Sequence, residues 1–554
     1  MTKAPAPHEA ATPPRQFENV NLFTSDVALQ EALAREGGGH AHKELVTFGE
    51  VCGARETLER ARIADAQPPR LIPYNAYGRR IDRIEQHPAH QDLLEMSCSE
   101  GLHCAAGSAD AGSRATSIGR QVARAAGLYL AAQADVAHCQ AISMTQAAAP
   151  IIASEPELPG DWLNKVKSRA YDRRDLPASA KTSVLIGFGV GESLFGGEPG
   201  AIGTRADASG GPGDRRYRIS GHKWFLSAPG SDAFLILAQA PGGLSCFLLP
   251  RLGDDGHSNG LSILRLKDKL GTRGTPCAEV EIHDALGWLI GEEGQGEAVF
   301  AEAQMQLRLD AAIVSAGAMR RAVAEAITFV ESRTVDGRAL IEQPLMSHVL
   351  ADLALDAEAA MALALRLARS FDRAEDARAA AWRRLMTPIT KFLVCKIAPS
   401  LIAEAIECVG GTAYAEDFPL ARLYRDVPAN MLWEGTGNHL ATEVLRVLRR
   451  HPEAAETVMD ELAQAVGEDA YLEAAHARIA AILCEPRLLD VRARSLVEGL
   501  AVLAAGTILR AHAPAAVSDA FIATRMGSVA RQAYGQELDW ADTAAILRRA
   551  SPVR

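Results

Sequence analysis

From Ser25 to about Ala170 apolar residues recur every three to four positions, the spacing that turns one face of a helix toward a core. Asp26 stands where an N-cap belongs, directly before the run Val27-Ala28-Leu29-Gln30-Glu31-Ala32-Leu33. Pro68-Pro69 and Pro73 break the pattern, and Ala-rich helical sequence resumes through Gln121–Ala134. Val136–Ser154 carries no charge for 19 residues, yet it contains His138, Gln140, Thr145, Gln146 and Pro150. A membrane span needs about 20 predominantly apolar residues, so this stretch predicts a buried helix ending in a loop. Between about Val184 and Gly291 the texture changes. Short apolar runs (Ala233–Leu237, Ser245–Leu249, Val280–Ile282) alternate with Gly-rich turns and predict strands, with a Gly/Pro-rich loop over Gly196–Gly213. Long helices return from Glu297 to Arg450. Val349, Leu353, Ala357, Met361 and Leu365 form one apolar stripe, and a helix through Ile389–Cys408 stops at Gly410-Gly411.

Residues 451–554 read as a further Ala-rich helical segment, separable at His451-Pro452. Helices, then strands, then a long bundle predict an α+β fold with segregated layers, not alternating βαβ units. The expected units are an N-terminal arm (1–20), a helical domain (21–180), a β-domain (181–295), a helical bundle (296–450) and a C-terminal helical domain (451–554).

Composition narrows the classes. The chain has 554 residues, a formal charge of −11 and 48% hydrophobic residues, which suits a globular protein and excludes whole-chain disorder. The acidic balance argues against a surface built throughout for nucleic acid, though not against a local basic patch. Nine scattered cysteines lack zinc-ligand spacing, so no metal site is expected, and they read as reduced thiols. The first residues lack a signal-peptide run, and the expected location is the cytoplasm, without a membrane.

No Walker A, HExxH, GxSxG or Rossmann glycine motif is present. Gly187-Phe188-Gly189-Val190-Gly191 reads by itself as a tight turn. Leu432-Trp433-Glu434-Gly435-Thr436-Gly437-Asn438 is more informative: it sets a carboxylate on a Gly-rich turn just before a helix, with Asn438 as a candidate cap. Either a solvated surface turn or a ligand-binding loop fits that pattern.

Six segments in order resemble the acyl-CoA dehydrogenase family: Gly221–Ser227, Lys267–Arg273, Gly291–Gly296, Gly410–Tyr414, Tyr424–Asp426 and Trp433–Thr436. Asn21–Asp26, Ala34–Gly38, Tyr77–Asp82 and Gly243–Phe247, with the extra C-terminal hundred residues, are similar to the branch of that family found in alkylation defence. The resemblance implies FAD, held by Phe188, Gly189, Val190, Gly191, Gly197, Phe225, Leu226, Ser227, Gly410, Gly411 and the turn Leu432, Trp433, Glu434, Gly435, Thr436, Gly437 and Asn438. It implies that Arg333, Gly337 and Gln343 reach the adenine half across a subunit contact, although an exposed helix-end Arg333 is the plainer alternative. It also implies a homotetramer, Glu434 as the base that removes an α-proton from an acyl-CoA, and Arg446 folded back on Glu434 to restrain it. Departures weaken the cofactor reading: Gly191 and Gly197 stand where the family carries hydroxyls, and Asp336 replaces a Phe.

The same branch implies contact with double-stranded DNA through the C-terminal domain. Residues 451–554 hold ten Arg, no Lys and fourteen acidic residues, but Arg492 and Arg494, Arg525 and Arg531, and Arg548 and Arg549 cluster. Phosphate contact or salt-bridged helix faces both fit those clusters. The expected function is a FAD flavoprotein with weak dehydrogenase activity and weak, non-specific DNA binding; the alternative is a small-molecule flavin oxidoreductase without DNA binding.

Overall fold

The computed structural model describes residues 16–105, 119–192, 201–211, 213–373, 376–467, 469–527 and 533–552. The first helices are α1 (Val27–Arg35), α2 (His42–Gly53), α3 (Arg55–Ala66), α4 (Pro88–Ser99), α5 (Arg120–Ala134), α6 (Val136–Ala153) and α7 (Trp162–Lys167). Asp26 caps α1, its carboxylate accepting the Leu29 N–H at 3.0 Å. Asp135 both ends α5 and caps α6, so the two helices meet at a single residue. The α6 helix is buried almost all round, which accounts for its uncharged sequence.

Between α3 and α4 the chain forms a hairpin, β1 (Arg70–Tyr74) with β2 (Arg80–Glu85), where the sequence pattern suggested only a break. The prolines end α3, and Leu71 and Ile84 then pack on the core of the sheet that follows. That sheet has seven strands: β3 (Ile186–Gly189), β4 (Arg205–Ala208), β5 (Arg216–Ser227), β6 (Ala233–Ala240), β7 (Gly243–Pro250), β8 (Leu261–Leu266) and β9 (Cys277–Ile290). Their order is β3-β5-β4-β6-β7-β9-β8, with β3–β6 and β5–β9 pairings in addition.

The bundle consists of α8 (Gly296–Glu331), α9 (Pro344–Phe371), α10 (Ala377–Val409), α11 (Pro419–Asp426) and α12 (Gly437–Arg450). A short hairpin, β10 (Thr334–Val335) with β11 (Arg338–Ala339), links α8 to α9. The α9 stripe points inward: Leu353, Ala357, Met361 and Leu365 are buried. The α10 helix ends at Gly410, whose φ of +83° only glycine adopts without strain. Five more helices follow: α13 (Pro452–Val466), α14 (Ala470–Leu483), α15 (Leu489–His512), α16 (Ala515–Met526) and α17 (Thr543–Ala550). One apolar core runs from α5 and α6 through α8–α10 into α13–α17, and the sheet holds a second one.

Candidate functional site

The residues between α11 and α12 make one tight turn. Glu434 lies at φ +56°, in the left-handed region that disfavours side chains other than glycine, and Gly435 follows at +116°. Two buried cations hold this conformation through the backbone. Arg308 of α8 donates Nε–H to the Glu434 carbonyl at 2.9 Å, and Lys391 of α10 donates Nζ–H to the Gly435 carbonyl at 2.8 Å. Their relative exposures are 1% or less, so each charge depends on protein acceptors alone. Glu434 as a residue is half-buried. Burial pushes its pKa above the usual carboxylate range, opposed by Arg308, Lys391 and a hydrogen bond from Gln304.

The expected Glu434–Arg446 pair is not formed. Arg446 is exposed on α12, and the cations facing Glu434 are Arg308 and Lys391; Arg446 instead bears on His439, where it adds to a downward pKa shift dominated by burial. Arg446 lies nine residues into α12, about two and a half turns from its start at Gly437. Sequence reading missed both inner cations. Their signal was a lone charge in an apolar helical run, as in Thr390-Lys391-Phe392-Leu393-Val394.

Trp433 donates its indole N–H to Asn430 at 2.9 Å, and Asn430 donates to the Ser315 hydroxyl at 3.0 Å, which anchors the turn to α8. Trp433, Thr272, Val314 and the α6 residues Cys139, Gln140 and Ser143 line a gap of about 10 Å³. That is room for about one water, so the space beside Trp433 is nearly filled.

The β8–β9 loop joins this turn to the sheet. Thr272 borders the gap, and Cys277, the first residue of β9, is the register partner of Ser227 in β5. Ser227 is also paired with Phe188, while Trp224 donates its backbone N–H to Gly191 at 2.9 Å. The segments 188–191 and 225–227 therefore lie side by side. Their side chains divide: Phe188, whose ring packs tilted against Phe300, and Leu226 are buried core, whereas Phe225 is 49% exposed and Ser227 is partly open. Gly189 is buried, and space is open where a Cβ on Gly191 would stand. Glu192 is a brace, bound by Lys223, Thr204 and Gly203. Gly197 lies outside the described residues.

Gly410 and Gly411 have open space at their Cβ positions, as does Gly337. Arg333 and Gln343 flank the exposed β10–β11 hairpin. Asp336 and Gly337 both have positive φ there, the two-residue turn that Asp-Gly favours, so Asp336 serves turn geometry in place of an aromatic. From Arg308 to its end at Glu331, α8 rises roughly 35 Å at 1.5 Å per residue, and Arg333 lies two positions beyond that end.

The C-terminal arginines separate into two kinds. Arg525 is buried and bridges Asp352 and Asp356, and Arg549 bridges Glu31 and Glu358, so neither is available to DNA. Those pairs lie where α16 and α17 pack onto α9 and α1. Arg492, Arg494 and Arg548 are exposed, and Arg531 lies outside the described residues. Ser97, His138 and Asp135 form a hydrogen-bonded row at 2.9 Å per step, but all three are at most 2% exposed, which leaves a substrate no access.

Comparison with known proteins places these features. Residues 13–173 match the model of the adaptive response protein AidB N-terminal domain, 187–285 the acyl-CoA dehydrogenase middle domain, and 294–448 the acyl-CoA dehydrogenase C-terminal domain. The chain is 42% identical to the putative acyl-CoA dehydrogenase AidB of Escherichia coli K12 over 86% of its own length and 87% of the relative's. It is 31% identical to acyl-CoA dehydrogenase family member 11 of Caenorhabditis elegans, over 76% of this chain and 69% of that one. The crystal structure of C. elegans ACDH-11 in complex with C11-CoA superposes with a TM-score of 0.84 at 25% identity, covering 97% of this chain and 98% of that one.

Proposed function

Because the chain belongs to the acyl-CoA dehydrogenase family, in its AidB branch, we propose that it is a FAD flavoprotein whose Glu434 acts as a general base toward an acyl thioester, with weak turnover. The observation that carries this reading is the half-buried Glu434, with a raised pKa, on a turn held by Arg308 and Lys391. A base works best with its pKa near the working pH, and burial moves Glu434 in that direction. Weak turnover is supported by the narrow gap of about 10 Å³ beside Trp433.

The groups present fit a flavin. Phe225 offers a half-exposed ring, Ser227 a hydroxyl, and Gly191, Gly410 and Gly411 leave room for close approach. FAD supplies a hydride acceptor when bound. Glu434 takes the α-proton, Arg308 and Lys391 keep its backbone in place, and Trp433 excludes water from that side. Arg333 lies past the far end of α8, roughly 35 Å by helix rise from Arg308, which supports its reaching the cofactor of a second copy. A homotetramer is part of this reading, supported by the exposed Leu345, Tyr414 and Leu432 around these segments. So is a cytoplasmic location, since no disulfide links the described cysteines. C11-CoA in the C. elegans structure supports an acyl-CoA as ligand.

Anaerobic mixing with a short branched acyl-CoA tests the chemistry: slow bleaching of the flavin absorbance is expected in the wild type and none in Glu434→Gln. Equal bleaching in both would remove Glu434 from the reaction.

Weak binding of double-stranded DNA, within a role in alkylation defence, is the second reading. It is supported by Arg446, Arg450 and Arg492, all exposed on the packed helices α12 and α15. Such contacts are electrostatic, so a mobility shift at low salt should vanish as salt rises. No shift at any salt concentration removes this reading and leaves the flavoenzyme.

A further inference from the structure

We propose that Arg494, on α15, is a positioning residue of the cofactor turn: it fixes the Asn438 side-chain amide as a hydrogen-bond donor toward the flavin nucleotide. The inference rests on the FAD reading above. Arg494 donates Nη1–H to Asn438 Oδ1 at 2.8 Å, across 56 positions of sequence. An asparagine amide can offer either its oxygen or its NH2 to a ligand, whereas a guanidinium has only donors. Arg494 therefore claims the oxygen and commits the NH2 group to face outward.

The packing makes this arrangement specific. A Cβ on Gly437 would lie 3.2 Å from Arg494 Nη1, 3.2 Å from Phe392 Cε2 and 3.3 Å from Lys396 Cε, so the turn sits directly on those three side chains. Phe392 is buried and gives the guanidinium a fixed floor, 5.3 Å from its ring centroid, with Lys396 at the same distance. The N-cap of α12 is Thr436 and not Asn438, which lies inside the first turn; Thr436 makes no side-chain capping bond, which leaves the first-turn N–H groups unclaimed by it. The Asn438 NH2, the first-turn N–H groups of α12, Arg494 and Lys396 together supply a set of donors at this turn. That set suits the acceptor-rich ribityl and phosphate portion of a flavin nucleotide, and it makes α15 a working part of the cofactor site.

The test is titration of FAD into apoprotein, followed by quenching of flavin fluorescence, with wild type, Arg494→Ala, Arg494→Lys, Asn438→Ala and the Arg494→Ala/Asn438→Ala pair. Far-UV dichroism and a melting curve check each fold. Arg494→Ala should weaken FAD binding about tenfold, as loss of a charge-assisted bond does. Arg494→Lys should recover part of the loss, and the double variant should be no worse than either single one, because the two residues act as one unit. If Arg494→Ala does not fold, Arg494→Lys and Asn438→Ala carry the comparison. Additive losses, or wild-type affinity in Arg494→Ala, overturn the role of Arg494 alone. A wild type that takes up no FAD overturns the cofactor reading and this inference together.

Discussion

Lys391 is fully buried and donates to the Gly435 carbonyl, while burial pushes its own pKa down. It acts on Glu434 in two ways, holding the turn and lowering the carboxyl pKa against the larger effect of burial. Lys391→Met removes the second influence, so the Glu434 pKa should rise and the acid limb of the pH profile for flavin bleaching should move to higher pH. Arg446→Ala should leave that profile in place, because Arg446 points to solvent. A shift in Arg446→Ala as large as in Lys391→Met contradicts this assignment. Two buried histidines set a different pH response. Burial pushes His90 and His103 from 6.5 down to about 4. A base with a depressed folded pKa contributes stability that is complete above its unfolded value and is lost as pH falls from about 6.5 toward 4, by up to about 3 kcal/mol each. Asp426, raised by burial from 3.8 to about 7, works in the opposite sense across the whole of that window and offsets part of the loss. Urea midpoints at pH 7.5 and pH 5 should show the loss, and His103→Gln should reduce it; an unchanged difference in that variant excludes His103 as a source.

At the scale of elements, buried ion pairs decide which helices stay together. Arg124 and Asp310 pair bidentately with both side chains almost fully enclosed, tying α5 to α8, and Arg525 ties α16 to α9 through Asp352 and Asp356. Breaking such a pair from one side leaves an uncompensated charge and typically costs about 3–5 kcal/mol. Arg525→Ala should therefore lower the urea midpoint by about that much free energy and leave any DNA mobility shift unchanged; the reverse pattern would return Arg525 to the surface. This division was not visible in the sequence, where Arg525 and Arg549 look like any other Arg in an amphipathic helix. Local signals did transfer well. Asp26 caps α1, the Val349–Leu365 stripe lies along α9, and α10 stops at Gly410. Each depends on neighbours within a few positions. The β1–β2 hairpin was missed because Pro69 and Pro73 obscured a short strand whose apolar residues find their partner in the distant sheet. Arg308 and Lys391 were missed for the same reason: the carbonyls they hold lie 126 and 44 positions away.

For the whole molecule, the segment after Arg450 is continuous with the rest. Pro452 opens α13 only two positions after α12 ends, and Val458, Leu496, Leu500 and Phe521 belong to the same apolar core as α8–α10. Polar ties cross the same boundary: Arg494 to Asn438, Arg449 to Asp490 at 2.7 Å, and Arg366 to Glu461. A chain ending at Arg450 would expose the faces of α9, α10 and α12 that α13 and α15 now cover, and each large apolar side chain uncovered costs about 1.5–3 kcal/mol. Deleting residues 451–554 should thus not yield a tidy flavoprotein lacking a DNA-binding module. The expected product aggregates or melts far below the full chain and retains little FAD, whereas the intact protein melts in one cooperative transition. Differential scanning calorimetry of both chains, with the absorbance of retained flavin, measures this directly. A truncated protein that melts near the full-length temperature and keeps its flavin would show that α13–α17 form an independent appendage, and the continuity of the core would then carry no energetic weight.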